Sequence, residues 1–438
     1  GAVGVLTDAA GAARVGDLDV PVCVVAEPRA VLGGLAARLY GEPARNLTTI
    51  AVTGTHGKTT TTYLVEAGLR GAGAVAAVVG TVGTRIDGVP VPTALTTPEA
   101  PDLHALLAVM RERGVQSCAM EVSSHALVMH RVDGLVFDVA VFLNLGRDHL
   151  DFHRDLEDYF DAKAALFTSG RARHAVVDVD DAHGRRLLQR TTLPTTTVSA
   201  RGADADWRCV DIRVRSDGSD FTVVAPDGTH HRTVLPLPGW FNVGNALAAV
   251  AACTHAGYDP AAVLRGLAAL TGVPGRMERV EAGQDFTAVV DYAHKPDAVT
   301  AALAALREVT PGRLIVVLGA GGDRDRGKRA LMGQAAARLA DVVVVTDDNP
   351  RGEDPAAIRA AIVAGAGTVP ETDRARVVEI GDRRWAITHA IALADTGDCV
   401  LVAGKGHEQG QEVGGGVVHP FDDRTVTAAA LRARGGAG

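Results

Sequence analysis

A short glycine-rich segment carries the residue types that bind phosphate groups. It lies between an apolar run at 47–53 and a helical pattern at 59–69, and its residues are Gly54, Thr55, His56, Gly57, Lys58, Thr59 and Thr60. Backbone N–H groups of such a loop cradle phosphates, the lysine reaches the outer phosphates, and the following hydroxyl can bind Mg²⁺. Val52 replaces the first glycine of the common G-x-x-x-x-G-K-[ST] spacing. We predict a nucleotide phosphate site here, with a purely structural glycine turn as the alternative.

Two later segments place acidic and histidine side chains where strands are expected to end. Glu121 follows one apolar run, and His149 lies in the loop after another. Ligands of open α/β sheets bind beyond the carboxyl ends of the strands. The carboxylate oxygens of Glu121 are the hard ligands that Mg²⁺ prefers. His149 is either a further metal ligand or a polar loop residue. Lys163, on an otherwise apolar helical pattern, is either a surface lysine or a modified metal ligand.

Lysine is rare in this chain, which has 39 Arg but only five Lys at positions 58, 163, 295, 328 and 405. A general bias towards arginine accounts for most of the difference. An ammonium group nevertheless has a pKa that shifts readily and a nitrogen that can be modified. Each remaining lysine is therefore a candidate for chemistry that a guanidinium cannot perform.

The composition excludes several classes of protein. The 438 residues are 47% hydrophobic and 22% charged with a net charge of −8, so the chain is neither disordered nor a basic nucleic-acid-binding protein. No apolar run reaches the ~18 residues needed to span a bilayer, and no signal-peptide pattern is present at the start. Five scattered cysteines without a C-x-x-C pair are typical of a reducing cytoplasm. We expect a cytoplasmic monomer that is not inserted in a membrane.

Apolar runs alternate with helical patterns along most of the chain, which predicts an α/β fold with parallel sheets. We predict a P-loop-type central sheet and, after a turn at 271–275, a Rossmann-like C-terminal α/β unit. Alternating residues at 207–214 and 220–224 favour an antiparallel hairpin. The predicted domains are a small, partial N-terminal α/β domain at 1–46, a central domain at 47–272 and a C-terminal domain at 273–438.

Ten short motifs occur in one order between residues 47 and 425: G-T-H-G-K-T-T at 54–60, E-V-S-S-H-A-L at 121–127, N-L-G-R-D-H-L-D-F-H at 144–153, Y-F-D-A-K at 159–163, F-N-V-G-N-A at 241–246, P-G-R-M-E at 274–278, D-Y-A-H at 291–294, G-G-D-R-D at 321–325, D-N-P-R at 348–351 and G-K-G-H-E at 404–408. In these motifs the chain resembles the Mur ligases, the ATP-dependent amide-forming enzymes of peptidoglycan and cell-wall synthesis. It is most similar to those that add the third peptide residue to UDP-MurNAc-L-Ala-D-Glu.

This resemblance implies the cofactors ATP and Mg²⁺ and a role for each motif. Lys58 would contact the ATP phosphates, Thr59 or Thr60 with Glu121 would bind one Mg²⁺, and His149 with a carbamylated Lys163 would bind a second. The residues implied at the nucleotide are Asn242, Arg276, Asp291 and His294. Those implied at the UDP-muramoyl dipeptide are Thr96, Thr97, Ser123 and Arg131. Two departures, Met129 for a common Gln and Leu95 for a common Asn, affect the muramoyl-peptide contacts.

The segment Asp348, Asn349, Pro350 and Arg351 resembles the family's signature for meso-diaminopimelate. A planar guanidinium such as that of Arg351 can bind the distal carboxylate of this amino acid through two hydrogen bonds. The resemblance adds Arg324, Gly404 and Glu408 to the pocket. Taken alone, the segment could be a simple turn, since Asn-Pro favours one. An enzyme that adds L-lysine would need anionic groups here instead.

The implied reaction activates the D-Glu carboxylate as an acyl phosphate, which the amine of the amino acid then attacks with loss of phosphate. The two reacting partners are anionic, so Lys58 and two Mg²⁺ ions would offset their repulsion. The N-terminal, central and C-terminal domains would hold nucleotide-sugar, ATP and amino acid, with a hinge near Pro274-Gly275. The alternatives are a folylpolyglutamate synthase-like ligase and a non-catalytic nucleotide-binding module.

Overall fold

The computed structural model describes residues 2–93 and 95–435. The strands are β1 Val5–Thr7, β2 Val22–Val24, β3 Thr48–Thr53, β4 Ala76–Gly80, β5 Gly83–Ile86, β6 Val89–Val91, β7 Ser117–Glu121, β8 Phe137–Phe142, β9 Ala172–Asp178, β10 Thr195–Ser199, β11 Trp207–Arg215, β12 Gly218–Val224, β13 His230–Leu235, β14 Glu278–Arg279, β15 Thr287–Asp291, β16 Leu314–Leu318, β17 Val342–Val345, β18 Arg376–Glu379, β19 Cys399–Ala403, β20 Gly410–Val413 and β21 Val417–Pro420. The α-helices are α1 Ala9–Val15, α2 Pro28–Leu39, α3 Lys58–Gly71, α4 Ala100–Glu112, α5 Ser124–Val128, α6 Leu156–Ala164, α7 Ala182–Leu188, α8 Trp240–His255, α9 Pro260–Ala268, α10 Pro296–Val309, α11 Gly327–Leu339, α12 Pro355–Ala366, α13 Arg383–Leu393 and α14 Asp423–Gly435.

The described residues form two compact units. The first contains the residues up to 145 together with 155–198 and 248–266. The second contains 146–154, 199–247 and the residues from 267 onwards. The domain boundaries inferred from the sequence, at 46 and 272, remain predictions. Within the described residues, no helix is both long enough and apolar enough to cross a membrane.

The sheet of the first unit is parallel around β3, which pairs with β7 on one side and β8 on the other. Val52 of β3 lies opposite Glu121 of β7 and opposite Val141 of β8. The three strands therefore end at the same edge of the sheet, and the loops that follow them are brought together there. Their residues are almost entirely buried, as expected of parallel strands covered on both faces.

An antiparallel hairpin, β5 and β6, extends this sheet beyond β4. The sequence analysis did not predict it, because a strand of three or four residues is too short for a clear alternation of apolar and polar side chains. The parallel α/β architecture itself is confirmed.

The second unit contains a parallel sheet in the order β15-β19-β16-β17-β18, with β14 antiparallel at its edge. In β16, Leu314, Val316 and Leu318 pack into one core, while Ile315 and Val317 pack into another on the opposite face. This alternation follows from the two-residue period of a strand with helices on both faces. The predicted doubly wound architecture is confirmed. The predicted hairpin at 207–224 is also confirmed, as the antiparallel pair β11 and β12, to which β13 adds a third strand.

Helix α8 begins at Trp240, directly after Pro238-Gly239, and its first turn consists of residues with weak helix propensity. Near the start of the chain, the short strands β1 and β2 pair in parallel.

Candidate active site

The glycine-rich loop of the first unit connects β3 to α3. Gly57 has a positive φ of 85°, and α3 begins directly after it at Lys58, so a side chain at position 57 would be strained. Asn144, in the loop after β8, accepts a hydrogen bond from the His56 amide (2.9 Å) and donates to the His56 carbonyl (3.2 Å). Its own carbonyl accepts from the Thr55 amide at 3.1 Å. Asn144 therefore positions the loop, a role the sequence analysis did not assign.

The two lysines of the first unit converge on this loop. Lys58 donates to the carbonyl oxygens of Gly54 (2.9 Å) and Thr55 (3.1 Å), and Lys163 donates to the same Gly54 oxygen at 3.0 Å. Lys163 is only 1% exposed, so the reading of it as a surface lysine is wrong. Its ammonium lies 4.7 Å from the centre of the Tyr159 ring, whose hydroxyl is hydrogen-bonded to Thr55. Thr59 and Thr60, in the first turn of α3, are buried beside Lys58.

Glu121, the last residue of β7, is held by Thr81. Its carboxylate accepts a hydrogen bond from the Thr81 amide at 2.7 Å and one from the Thr81 hydroxyl at 3.1 Å. The hydroxyl of Thr96 lies 3.2 Å from that of Thr81, and the hydroxyl of Thr97 donates to the Glu121 carbonyl at 2.8 Å. A Cβ added at Gly80 would lie 2.3 Å from the Glu121 carboxylate. Thr81 thus connects Glu121, a predicted metal ligand, to Thr96, while Thr97 binds the Glu121 backbone directly.

Ser123 and Arg131 flank the short helix α5. Ser123 caps the helix, because its hydroxyl accepts a hydrogen bond from the Ala126 amide at 3.1 Å. Arg131 forms an ion pair with Glu99 (2.9 Å) and donates to the Thr97 carbonyl at 3.4 Å. Its guanidinium also lies 3.4 Å from the sulfur of Met129. Where the family often has a Gln amide, Arg131 therefore meets a weak thioether acceptor. The other departure, Leu95, is partly exposed.

His149 lies in the second unit, whereas the other predicted metal ligands lie in the first. It has a positive φ of 52°, and its Nε2 is 3.0 Å from the carboxylate of Asp148. Lys295 forms an ion pair with the same carboxylate. Burial alone would raise the pKa of Asp148, but the hydrogen bond from His149 and the charge of Lys295 hold it well below its usual range. Asp148 was not identified from the sequence, although it stands beside His149 in the quoted motif.

Three predicted nucleotide-binding residues of the second unit are Asp291 at the end of β15, His294 just after it, and Arg276 just before β14. The buried carboxylate of Asp291 accepts a hydrogen bond from the Met277 amide at 2.7 Å. Burial raises the pKa of Asp291, and the charge of Arg276 opposes that shift. The guanidinium of Arg276 lies 4.4 Å from the centre of the Tyr292 ring. The pKa of His294 lies well below its ordinary value because the ring is buried and close to the positive charges of Lys295 and Lys328.

Asn242, the remaining predicted nucleotide residue, lies in the first turn of α8 and is buried. Its amide nitrogen donates to the Pro238 carbonyl at 2.7 Å, and its amide oxygen accepts from Asn245 at 3.2 Å. These bonds fix the side-chain amide at the start of the helix.

Asn349, Lys405 and Glu408 form one hydrogen-bonded cluster in the second unit. Lys405, which is fully buried, donates to the amide oxygen of Asn349 (2.8 Å) and to the carboxylate of Glu408 (3.0 Å). The amide nitrogen of Asn349 donates to the same Glu408 oxygen at 3.0 Å. A Cβ added at Gly404 would lie 2.6 Å from the carboxylate of Asp348, and its φ of 122° also favours glycine. Lys405, whose role the sequence left open, therefore joins two predicted pocket residues.

Arg351 lies next to this cluster and is held by a residue the sequence analysis missed. Its Nε donates to the carboxylate of Glu412 at 2.8 Å, and its Nη1 donates to the Gly322 carbonyl at 2.9 Å. Pro350 lines a cavity of about 700 Å³ together with Arg351. Arg324 lies in the loop after β16, as does Gly322. The loops that follow β16, β17 and β19 thus bring the predicted amino-acid residues to one edge of the sheet.

The structure thus has a glycine-rich loop after a parallel strand in the first unit and a cluster of charged side chains after parallel strands in the second, and both regions match known protein families. The Mur ligase middle domain matches residues 52–253, and the Mur ligase, glutamate ligase domain matches residues 275–406. The chain belongs to the Mur ligase family, whose members are ATP-dependent, ADP-forming ligases.

Its relatives include the UDP-N-acetylmuramoyl-L-alanyl-D-glutamate–2,6-diaminopimelate ligase of Streptomyces avermitilis, 55% identical over 99% of this chain and 85% of the relative. The ligase of the same name from Corynebacterium glutamicum is 53% identical over 98% and 84%. A solved structure of a ligase of that name is 37% identical, with a TM-score of 0.68 over 96% of this chain and 86% of the other. Mycobacterium tuberculosis folylpolyglutamate synthase, complexed with ADP and AMPPCP, has a TM-score of 0.69 over 91% and 94%; at 21% identity it shows a shared fold alone.

Proposed function

We propose that this chain adds meso-diaminopimelate to UDP-N-acetylmuramoyl-L-alanyl-D-glutamate, using ATP, in peptidoglycan synthesis. The observation that carries the proposal is the hydrogen-bonded network in which Asn349 binds Glu408 and Glu412 links Asn349 to Arg351. The distal end of meso-diaminopimelate bears both a carboxylate and an amine. A guanidinium and a carboxylate at fixed positions would bind these two groups, while L-lysine has no distal carboxylate for Arg351 to bind. The named relatives above support the same substrate.

The residues around the glycine-rich loop would activate the D-Glu carboxylate. In this proposal Lys58 turns from the loop carbonyls to the ATP phosphates, and the carboxylate attacks the γ-phosphorus to form an acyl phosphate and ADP. The amine of the amino acid then attacks the acyl carbon and phosphate leaves. An ammonium placed on the transferring phosphoryl group stabilises the charge that develops there.

The residues present fit Mg²⁺, which we propose as a cofactor. Thr59, Thr60 and Glu121 offer the oxygen ligands that this hard cation prefers, and the absence of a side chain at Gly80 gives the Glu121 carboxylate the room that it occupies. His149 and a carbamylated Lys163 would hold a second ion. Bound Mg²⁺ would neutralise phosphate charge. Carbamylation would turn the buried Lys163 ammonium into an anionic oxygen ligand, a change that arginine cannot undergo.

The remaining assignments belong to the same proposal. Thr96, Thr97, Ser123 and Arg131 would contact the UDP-muramoyl dipeptide. Asn242, Arg276, Asp291 and His294 would border the nucleotide. Residues 1–46, 47–272 and 273–438 would form the UDP-binding, ATP-binding and amino-acid-binding domains of a cytoplasmic monomer.

A phosphate-release assay tests the proposed function. Purified protein is given ATP, Mg²⁺ and the UDP-muramoyl dipeptide, with meso-diaminopimelate, L-lysine or no amino acid in parallel reactions. We expect release with meso-diaminopimelate alone. Preferential release with L-lysine would favour the lysine-adding alternative. Release with neither amino acid would contradict the proposal; a folate substrate with glutamate then tests the folylpolyglutamate synthase alternative, and nucleotide binding without turnover would indicate a non-catalytic module.

A further inference from the structure

Strand β20 lies along the segment 348–351 and is hydrogen-bonded to it through both backbone and side chains. The side-chain nitrogen of Gln411 donates to the Asp348 carbonyl at 2.7 Å, and the backbone N–H of Glu412 donates to the Asn349 side-chain oxygen at 2.9 Å. The Arg351 amide donates back to the Glu412 carbonyl at 3.2 Å. β20 pairs with β21 in an antiparallel hairpin. The hairpin of β20 and β21 therefore holds the segment 348–351 in a fixed position.

Glu412, a residue of β20, contacts the Arg351 guanidinium and fixes its orientation. Its carboxylate accepts from Nε at 2.8 Å, while the Gly322 carbonyl accepts from Nη1 at 2.9 Å. The backbone of Arg351 is itself constrained, with a φ of 52°. A guanidinium has five donors in a rigid planar fork, so two fixed contacts define its plane. A carboxylate ligand is then left with the terminal edge formed by Nη1 and Nη2.

We propose that Glu412 is a positioning residue for amino-acid selection: it orients Arg351 so that the terminal edge of the guanidinium receives the distal carboxylate of the amino acid. This inference rests on the proposed function. Glu412 acts through Arg351 and does not touch the reacting atoms. Two effects of its charge oppose each other, since it fixes the guanidinium but also partly neutralises it. Of these two effects, the orientation of the guanidinium dominates.

Three variants separate orientation from charge. Glu412→Ala removes both, Glu412→Gln keeps an acceptor oxygen without charge, and Glu379→Ala is the matched control. Glu379 also binds an arginine Nε at 2.8 Å, that of Arg359, and its side chain is 44% exposed compared with 37% for Glu412. We expect Glu412→Ala to raise the KM for meso-diaminopimelate about tenfold, the size of one charge-assisted hydrogen bond, with kcat changed by less than about twofold.

The other substrates report whether the effect is specific. The KM values for ATP and for the UDP-muramoyl dipeptide should stay unchanged, Glu412→Gln should recover most of the affinity, and Glu379→Ala should behave as the unmodified protein. An unchanged or lower KM for meso-diaminopimelate in Glu412→Ala would overturn the inference, as would an equal rise for all three substrates. Turnover of meso-diaminopimelate by the unmodified protein tests the proposed function separately. If the unmodified protein does not turn over meso-diaminopimelate, calorimetry measures the dissociation constant of this amino acid for each variant and for the unmodified protein. The same ratio between variant and unmodified protein is then compared.

Discussion

The glycine-rich loop of the first unit and the charged pocket of the second are built in different ways. In the loop, two lysines converge on one backbone carbonyl, that of Gly54, and the side chain of Asn144 binds the loop backbone. In the pocket, ionised side chains bind one another, as Lys405 binds Glu408 and Arg351 binds Glu412. The first arrangement depends on backbone conformation and the second on pairs of side chains.

This difference matches the ligands proposed for the two regions. ATP carries several negative charges, and a loop of backbone donors flanked by two lysine ammonium groups suits them. An amino acid that carries both charges at its distal end needs a donor and an acceptor held at fixed positions, because geometry rather than net charge selects it. Substitutions in the loop should therefore reduce turnover, whereas substitutions in the pocket should change the KM for the amino acid.

The largest expected effect comes from lysine-to-arginine changes in the first unit. Lys163→Arg keeps a positive charge, but a guanidinium cannot be carbamylated to give an anionic oxygen ligand at this buried position. Lys58→Arg misplaces the donor on the transferring phosphoryl group. We expect each variant to lose at least about 10³-fold in kcat, in the range of lost electrostatic stabilisation of a transition state. The rate of phosphate release at saturating concentrations of all substrates measures the kcat of each variant.

The dependence of the unmodified enzyme on bicarbonate sharpens this test. Removal of carbon dioxide should lower its activity, and added bicarbonate should restore it, because a carbamate forms from the neutral amine and carbon dioxide. A Lys163→Arg variant with more than a tenth of the normal activity would contradict a carbamate at this position.

Sequence patterns predicted the first region better than the second, for a physical reason. A strand, a glycine turn and a helix start are local, so the spacing of residues 54–60 was sufficient to predict the loop. The contacts of the pocket join residues about sixty positions apart, such as Asn349 with Glu408 and Arg351 with Glu412. The resemblance to the family identified Asn349, Arg351 and Glu408, but nothing in the sequence alone pointed to Glu412. The buried position of Lys163 also required the fold, because its helical pattern fits either a surface or a core lysine.

A smaller effect is expected for Lys405→Met in the pocket. Methionine has a similar length but no donor, so Asn349 and Glu408 each lose a hydrogen bond to a fully buried ammonium. We expect the KM for meso-diaminopimelate to rise about 100-fold and the free energy of unfolding to fall by roughly 2 kcal/mol. Steady-state kinetics and urea denaturation measure the two. A change in kcat with an unchanged KM for meso-diaminopimelate would contradict the expectation that substitutions in this region act on amino-acid binding.

The smallest effect is expected for Gly80→Ala in the first unit. The added methyl group would lie 2.3 Å from the Glu121 carboxylate, so that carboxylate must move away from Thr81. If Glu121 binds Mg²⁺, the concentration of Mg²⁺ needed for half-maximal activity should rise about tenfold, equivalent to about 1.4 kcal/mol of binding energy. Gly34→Ala is the control, because a Cβ at Gly34 meets open space. If the Mg²⁺ requirement is unchanged and the KM for meso-diaminopimelate rises, Glu121 acts in amino-acid binding. That result would contradict the proposal that the first unit binds Mg²⁺ and the second binds the amino acid.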